Sequence, residues 1–131
     1  MAYVNITYQK HSFEENPGLI TWVQLFLIKF IQTIENRPEW TLSMIDEWKM
    51  NSEVEIYKYI FDEEILDDTD KVKWCINFLI NAIERLSSMN ITEFSSYINE
   101  EINPTVDFER IKKITVNIKL MLENKEPQKT F

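Results

Sequence analysis

One glycine, Gly18, in 131 residues is the tightest limit on what this chain can fold into. Tight turns and two-residue hairpin loops need backbone at positive φ, which glycine adopts without steric cost. A sheet protein needs several such positions, so an all-β architecture is not expected. A glycine-rich phosphate loop is excluded on the same ground. Hydrophobic residues make up 44% of the chain and aromatics 13%, which is enough for a packed interior rather than disorder. The length suits one domain, 1–131, with one core.

The spacing of apolar residues predicts about six helices. Val4, Ile6 and Tyr8 alternate with polar residues as in a strand, but no second run of this kind follows, so residues 1–16 read as an extended arm without a partner. Pro17 and Gly18 mark the entry to a first helix running to about Glu35. It is apolar nearly all round, which places it at the centre with neighbours on several sides. Pro38 suits the first position of a second helix, with Trp40, Met44, Ile45 and Trp48 on one face. Ser52 and Glu55 have capping-box spacing and open a third helix through Ile56, Tyr57, Ile60 and Phe61. Thr69 caps a fourth, whose inward face carries Val72, Ile76, Leu79, Ile83 and Leu86. Asn90 and Glu93 form another box before Phe94, Tyr97 and Ile98, with Pro104 as the stop. Asp107 caps the last helix, with Phe108, Ile111, Ile114, Ile118 and Leu122 at the same period. A polar tail, 124–131, should fray. The expected class is all-α, a compact bundle of about six helices with a short extended N-terminal segment.

No signal-peptide pattern opens the chain, and the apolar run Leu19–Ile34 is interrupted by Thr21, Gln24, Lys29 and Gln32, so no membrane association is expected. A single cysteine, Cys75, fits a reducing compartment. The expected location is the cytoplasm.

The net charge of −8 is unevenly placed. Between Glu53 and Asp70 stand eight acids (Glu53, Glu55, Asp62, Glu63, Glu64, Asp67, Asp68, Asp70) and one base, Lys58. That stretch carries −7, and the other 113 residues hold 14 acids against 13 bases. Clustered like charges destabilise a compact state. Solvation, and roughly 0.3–1 kcal/mol per acid from the following helix dipole, account for only part of the run. The remainder reads as a landing site for a basic protein, with Asp62, Glu63, Glu64, Asp67, Asp68, Asp70 and Tyr59 as the contact residues. Nucleic acid, itself an anion, is not an expected ligand.

Catalysis finds little support in the residues. His11 is the sole histidine and Cys75 sits beside an apolar helical face. A zinc site needs more such ligands, and the tract Asp67–Lys71 lacks the glycine and length of an EF-hand loop. Neither a metal nor an organic cofactor is expected. Glu63, Glu64 and Asp67 look like a degraded version of the paired acids in all-α nucleotide pyrophosphatases of the MazG type, where two facing helices hold Mg²⁺. Glu84, Glu100 and Glu101 do not supply the second pair at the expected spacing, and Asn103 falls where an acid would be wanted.

Small, acidic, helical and without a catalytic constellation, the chain resembles bacterial toxin immunity proteins, above all those of contact-dependent growth inhibition systems. The resemblance lies in overall character, with Glu53–Asp70 as its local support. Helical immunity proteins of colicins and some viral helical interaction domains share these features. What the resemblance implies is a protein, not an enzyme, that binds a cognate basic nuclease toxin and covers its active site or substrate path. The acids from Asp62 to Asp70 would meet the toxin's cationic surface, and Tyr57, Tyr59 and Phe61 would supply an apolar centre. The alternatives are a Mg-dependent pyrophosphatase and a structural or adaptor domain.

Overall fold

The computed structural model describes residues 3–54 and 59–129. The chain runs β1 (Val4–Tyr8), β2 (His11–Glu15), α1 (Pro17–Ile31), α2 (Thr41–Val54), α3 (Thr69–Ser87), α4 (Ile91–Ile98) and α5 (Phe108–Leu122). Among the described residues there are thus five helices and a two-stranded antiparallel sheet, not an all-α bundle of six helices.

The extended arm has a partner after all. β1 pairs with β2 in the register Ile6↔Phe13 and Tyr8↔His11, closed by a loop of only two residues, Gln9 and Lys10. Gln9 takes the left-handed conformation, φ 53°, in place of the missing glycine, at a cost of roughly 1–2 kcal/mol. Its backbone N–H donates to Glu63 Oε2 at 3.3 Å. Ile6, Tyr8, Phe13 and Glu15 are buried. The alternation on β2 was disguised, because one of its two inward residues is a carboxylate. Glu15 is ion-paired with Arg110 of α5 and also accepts the Asn16 N–H.

α1 is the central helix, as its composition predicts. Asn16 caps it by accepting the Gly18 N–H at 2.8 Å, Pro17 fills the first turn, and α2, α3, α4 and α5 all pack against it. It ends at Ile31 rather than Glu35. The Thr33 hydroxyl takes the Phe30 carbonyl at 2.6 Å, and Asn36 turns left-handed at φ 56°. Pro38 lies in a turn before α2, held by the Thr41 N–H and hydroxyl, and the helix starts at Thr41.

The third predicted helix is not found among the described residues. Ser52 lies inside α2 and its hydroxyl donates to the Lys49 carbonyl, so it caps nothing. Ile60 and Phe61 are buried but not helical. Glu55, Ile56 and Tyr57 lie outside the described residues. α3 is capped by Asp68, one residue before the expected Thr69, through its bond from the Lys71 N–H. Its buried side chains are Cys75, Phe78, Leu79, Ala82 and Leu86, with Val72 and Ile76 packed at the margin.

α4 has the full capping box, Asn90 accepting from Glu93 and Glu93 from Asn90. It stops at Asn99, left-handed at φ 57°, well before Pro104. Asp107 caps α5 as expected, and Ile111, Ile114, Ile118 and Leu122 are buried. The tail is held as far as Gln128, whose N–H and carbonyl both bond the side chain of buried Asn117, at 2.8 and 2.7 Å. No helix among the described residues is long and apolar enough to cross a membrane.

Candidate binding surface

Residues 59–68 of the acidic stretch lie between α2 and α3, and their apolar side chains fix them in place. Ile60, Phe61 and Leu66 are buried in the core. Trp48 of α2, fully buried, donates its indole N–H to the Ile60 carbonyl at 2.6 Å and meets the Phe61 ring edge-on, centroids 5.6 Å apart. A buried indole N–H left unpaired would cost about 1–3 kcal/mol, so Trp48 and Ile60 are held together. Beyond Phe61 the chain turns around Asp62. Its Oδ1 accepts the Glu64 N–H at 2.9 Å and its carbonyl accepts from Ile65 and Leu66. With the apolar side chains inside, Glu63, Glu64, Asp67, Asp68 and Asp70 are exposed, and Asp62 and Tyr59 are half-buried.

The predicted contact residues are brought together, but several also hold the fold. Glu63 receives the hairpin's Gln9 N–H. Asp67 pairs with Lys71 at 2.8 Å, and the hydrogen bond from that ammonium keeps its carboxyl below the usual range. Lys71 also lies over the Trp40 ring, 5.8 Å from its centroid. Asp68 caps α3 and Asp70 sits in its first turn. Among the described residues the side chains of Glu64 and Asp70 make no hydrogen bond or ion pair.

One residue that the sequence did not single out completes the group. Glu47 of α2, immediately before Trp48, is half-buried and lies within reach of the Asp62 charge. Burial first, then the neighbouring Asp62 carboxyl and the charge of Glu64, push its carboxyl up to about 7. The Tyr59 hydroxyl is itself raised, chiefly by burial and then by the charges of Glu47, Asp62 and Glu64. The signal for Glu47 was faint. It stands three residues after buried Met44 and one before buried Trp48, at the edge of the apolar face, where an acid is costly.

The other reactive side chains are spoken for. Cys75 is buried and its thiol is pushed up to about 12 by desolvation. His11 Nε2 contacts Asn124 Oδ1 at 3.0 Å. Glu63 and Glu64 lie in a turn rather than on a helix facing another, unlike the paired acids of MazG-type enzymes. Among the described residues no three His, Cys, Asp or Glu side chains are arranged to hold a metal ion. Of the four tryptophans, Trp48 is core, and Trp40 and Trp74 pack edge-on at 5.5 Å against the core's margin. The chain matches no protein-family model, and no curated protein or solved structure matches it significantly.

Proposed function

We propose that this protein is an inhibitory binding module of the immunity-protein kind, acting in the cytoplasm. It neutralises a basic protein partner, a nuclease toxin domain, by laying the acidic surface of residues 62–70 over the cationic groups that would otherwise hold nucleic acid phosphates. The observation that carries this reading is the anchoring of the loop. Ile60, Phe61 and Leu66 are buried on either side of the Asp62 turn, so the outward acids are positioned before any partner arrives. Preorganised charge spends less of its binding energy on ordering and speeds encounter.

The test is association with basic nuclease domains, and with poly-L-lysine as a generic polycation, measured across a salt series. The wild type should bind more weakly as salt rises. Glu64→Lys combined with Asp70→Lys removes charge without touching the cap at Asp68 or the Asp67–Lys71 pair. It should weaken binding at least tenfold, about 1.4 kcal/mol. Unchanged affinity and salt dependence in a folded double variant would sink the acidic-surface mechanism.

A further inference from the structure

Two tryptophans reach the surface beside the acidic loop and meet there as a corner. Trp40, in the turn before α2, and Trp74, on α3, are both half-buried, with ring centroids 5.5 Å apart and planes at 79°. The corner is fixed from behind. Trp74 stacks on Phe78, 5.8 Å away at 10°, and Phe78 is buried against Trp48 of the core. Trp40 is held by its neighbour Thr41, which is fully buried and bonds the Pro38 carbonyl through both its N–H and its hydroxyl. A tryptophan left partly open presents a negative π-face, and such a face attracts cations. The molecule already places one there. The Lys71 ammonium lies 5.8 Å from the Trp40 ring centroid and 2.8 Å from Asp67 Oδ1. Its side chain is only 25% exposed, so it is laid down on the protein rather than extended into water. One ammonium does not balance the charge around this corner. Asp70, on the same face of α3 as Trp74, has an exposed carboxylate with no hydrogen bond or ion pair among the described residues. Asp67, Asp68 and Asp70 thus stand around a single base.

We infer that Trp40, Trp74, Asp67 and Asp70 form a receptor for an arginine side chain of the basic protein partner, with Lys71 as the internal occupant that the arginine displaces from the Trp40 ring. This inference rests on the binding role proposed above and names the side chain by which the partner is anchored. Arginine is selected over lysine by shape and hydration. A guanidinium is planar and weakly hydrated, so it lies flat on an aromatic ring while its fork of N–H groups reaches a carboxylate. An ammonium is compact, holds its water and acts as a point charge. Displacing Lys71 breaks only its pair with exposed Asp67, and exposed pairs contribute little. Both rings are fixed before the partner arrives, so little side-chain freedom is lost on binding. Tryptophan and arginine are also the residues that most often carry the binding energy of an interface.

Octa-arginine and octa-lysine peptides carry equal charge and probe the site directly. In calorimetry at low salt the wild type should bind octa-arginine about three- to tenfold more tightly than octa-lysine, the scale of one cation–π contact. Trp40→Leu should bring the two affinities together while keeping the salt-dependent binding that the acids provide. Lys71→Gln leaves both rings in place and frees the Trp40 face, so it should raise affinity for octa-arginine more than for octa-lysine. A reading on the wild type needs no variant to fold. In ¹H–¹⁵N spectra the indole N–H signals of Trp40 and Trp74 should move as octa-arginine is added. That of Trp48, buried and bonded to the Ile60 carbonyl, should stay in place. Equal affinity for the two peptides with all indole signals unmoved overturns the receptor and leaves the acidic-surface reading standing. Binding of neither peptide overturns both.

Discussion

At the scale of single residues, two buried amides show opposite accounting. Asn117 is 1% exposed and both ends of its side chain are used, one on the Gln128 N–H and the other on its carbonyl. Gln24, in the middle of α1, is fully buried, and among the described residues neither its Oε1 nor its Nε2 meets a hydrogen-bond partner. A buried amide that has lost water and gained nothing costs about 1–3 kcal/mol by the measure of protein mutations. Methionine has the same length and no such debt. Gln24→Met is therefore expected to stabilise the protein by about 1–3 kcal/mol, read from the midpoint and slope of a urea unfolding curve. A lower midpoint with the same slope would mean that the amide earns more in the native state than its surroundings show.

Among the elements, α4 depends most on its ends. Eight residues are too few for a helix to persist on its own, and only Phe94 and Ile98 are buried. Asn90→Ala removes the side chain that accepts the Glu93 N–H at 2.8 Å. It should cost about 1 kcal/mol of unfolding free energy. Hydrogen exchange should show the amides of the first turn of α4 losing protection before those of α5. Caps of this kind were legible because Asn90 and Asp107 stand between helices rather than inside one. Ser52 and Glu55 have similar spacing, yet Ser52 lies within a helix already running, where a serine hydroxyl can bond the preceding turn instead. Spacing alone does not separate the two outcomes. The hairpin was hidden for another reason. Its second strand turns Phe13 and Glu15 inward, and the partner that makes a buried Glu15 tolerable, Arg110, is 95 residues away. Long-range pairing of this kind leaves no periodic trace. The clustering of the acids was visible because they are local in sequence, while Glu47 comes near them through the Trp48–Ile60 contact.

Taken whole, the molecule sets a strained charge distribution against a well-packed interior. Three of its described ion pairs, Lys71–Asp67, Lys112–Glu109 and Lys119–Glu123, are local pairs three or four residues apart with at least partly exposed partners, and such pairs contribute little. The Glu15–Arg110 pair is shielded, its carboxylate fully buried. What remains open to solvent ions is mainly the repulsion within the −7 stretch. Raising salt from about 0.01 to 0.15 M shortens the screening length from about 30 to 8 Å, which silences repulsion between acids on neighbouring turns. The melting temperature should therefore rise, by a few degrees for each kcal/mol relieved. In Glu64→Lys/Asp70→Lys the rise should shrink or vanish, because the stretch then carries −3. The same salt weakens association with a basic partner, since it screens attraction as well as repulsion. Opposite salt responses of stability and binding, both flattened by the same two substitutions, are what a surface kept acidic for its partner requires. A surface kept acidic only for solubility gives the first response without the second. Melting curves and binding isotherms over one salt series separate these cases.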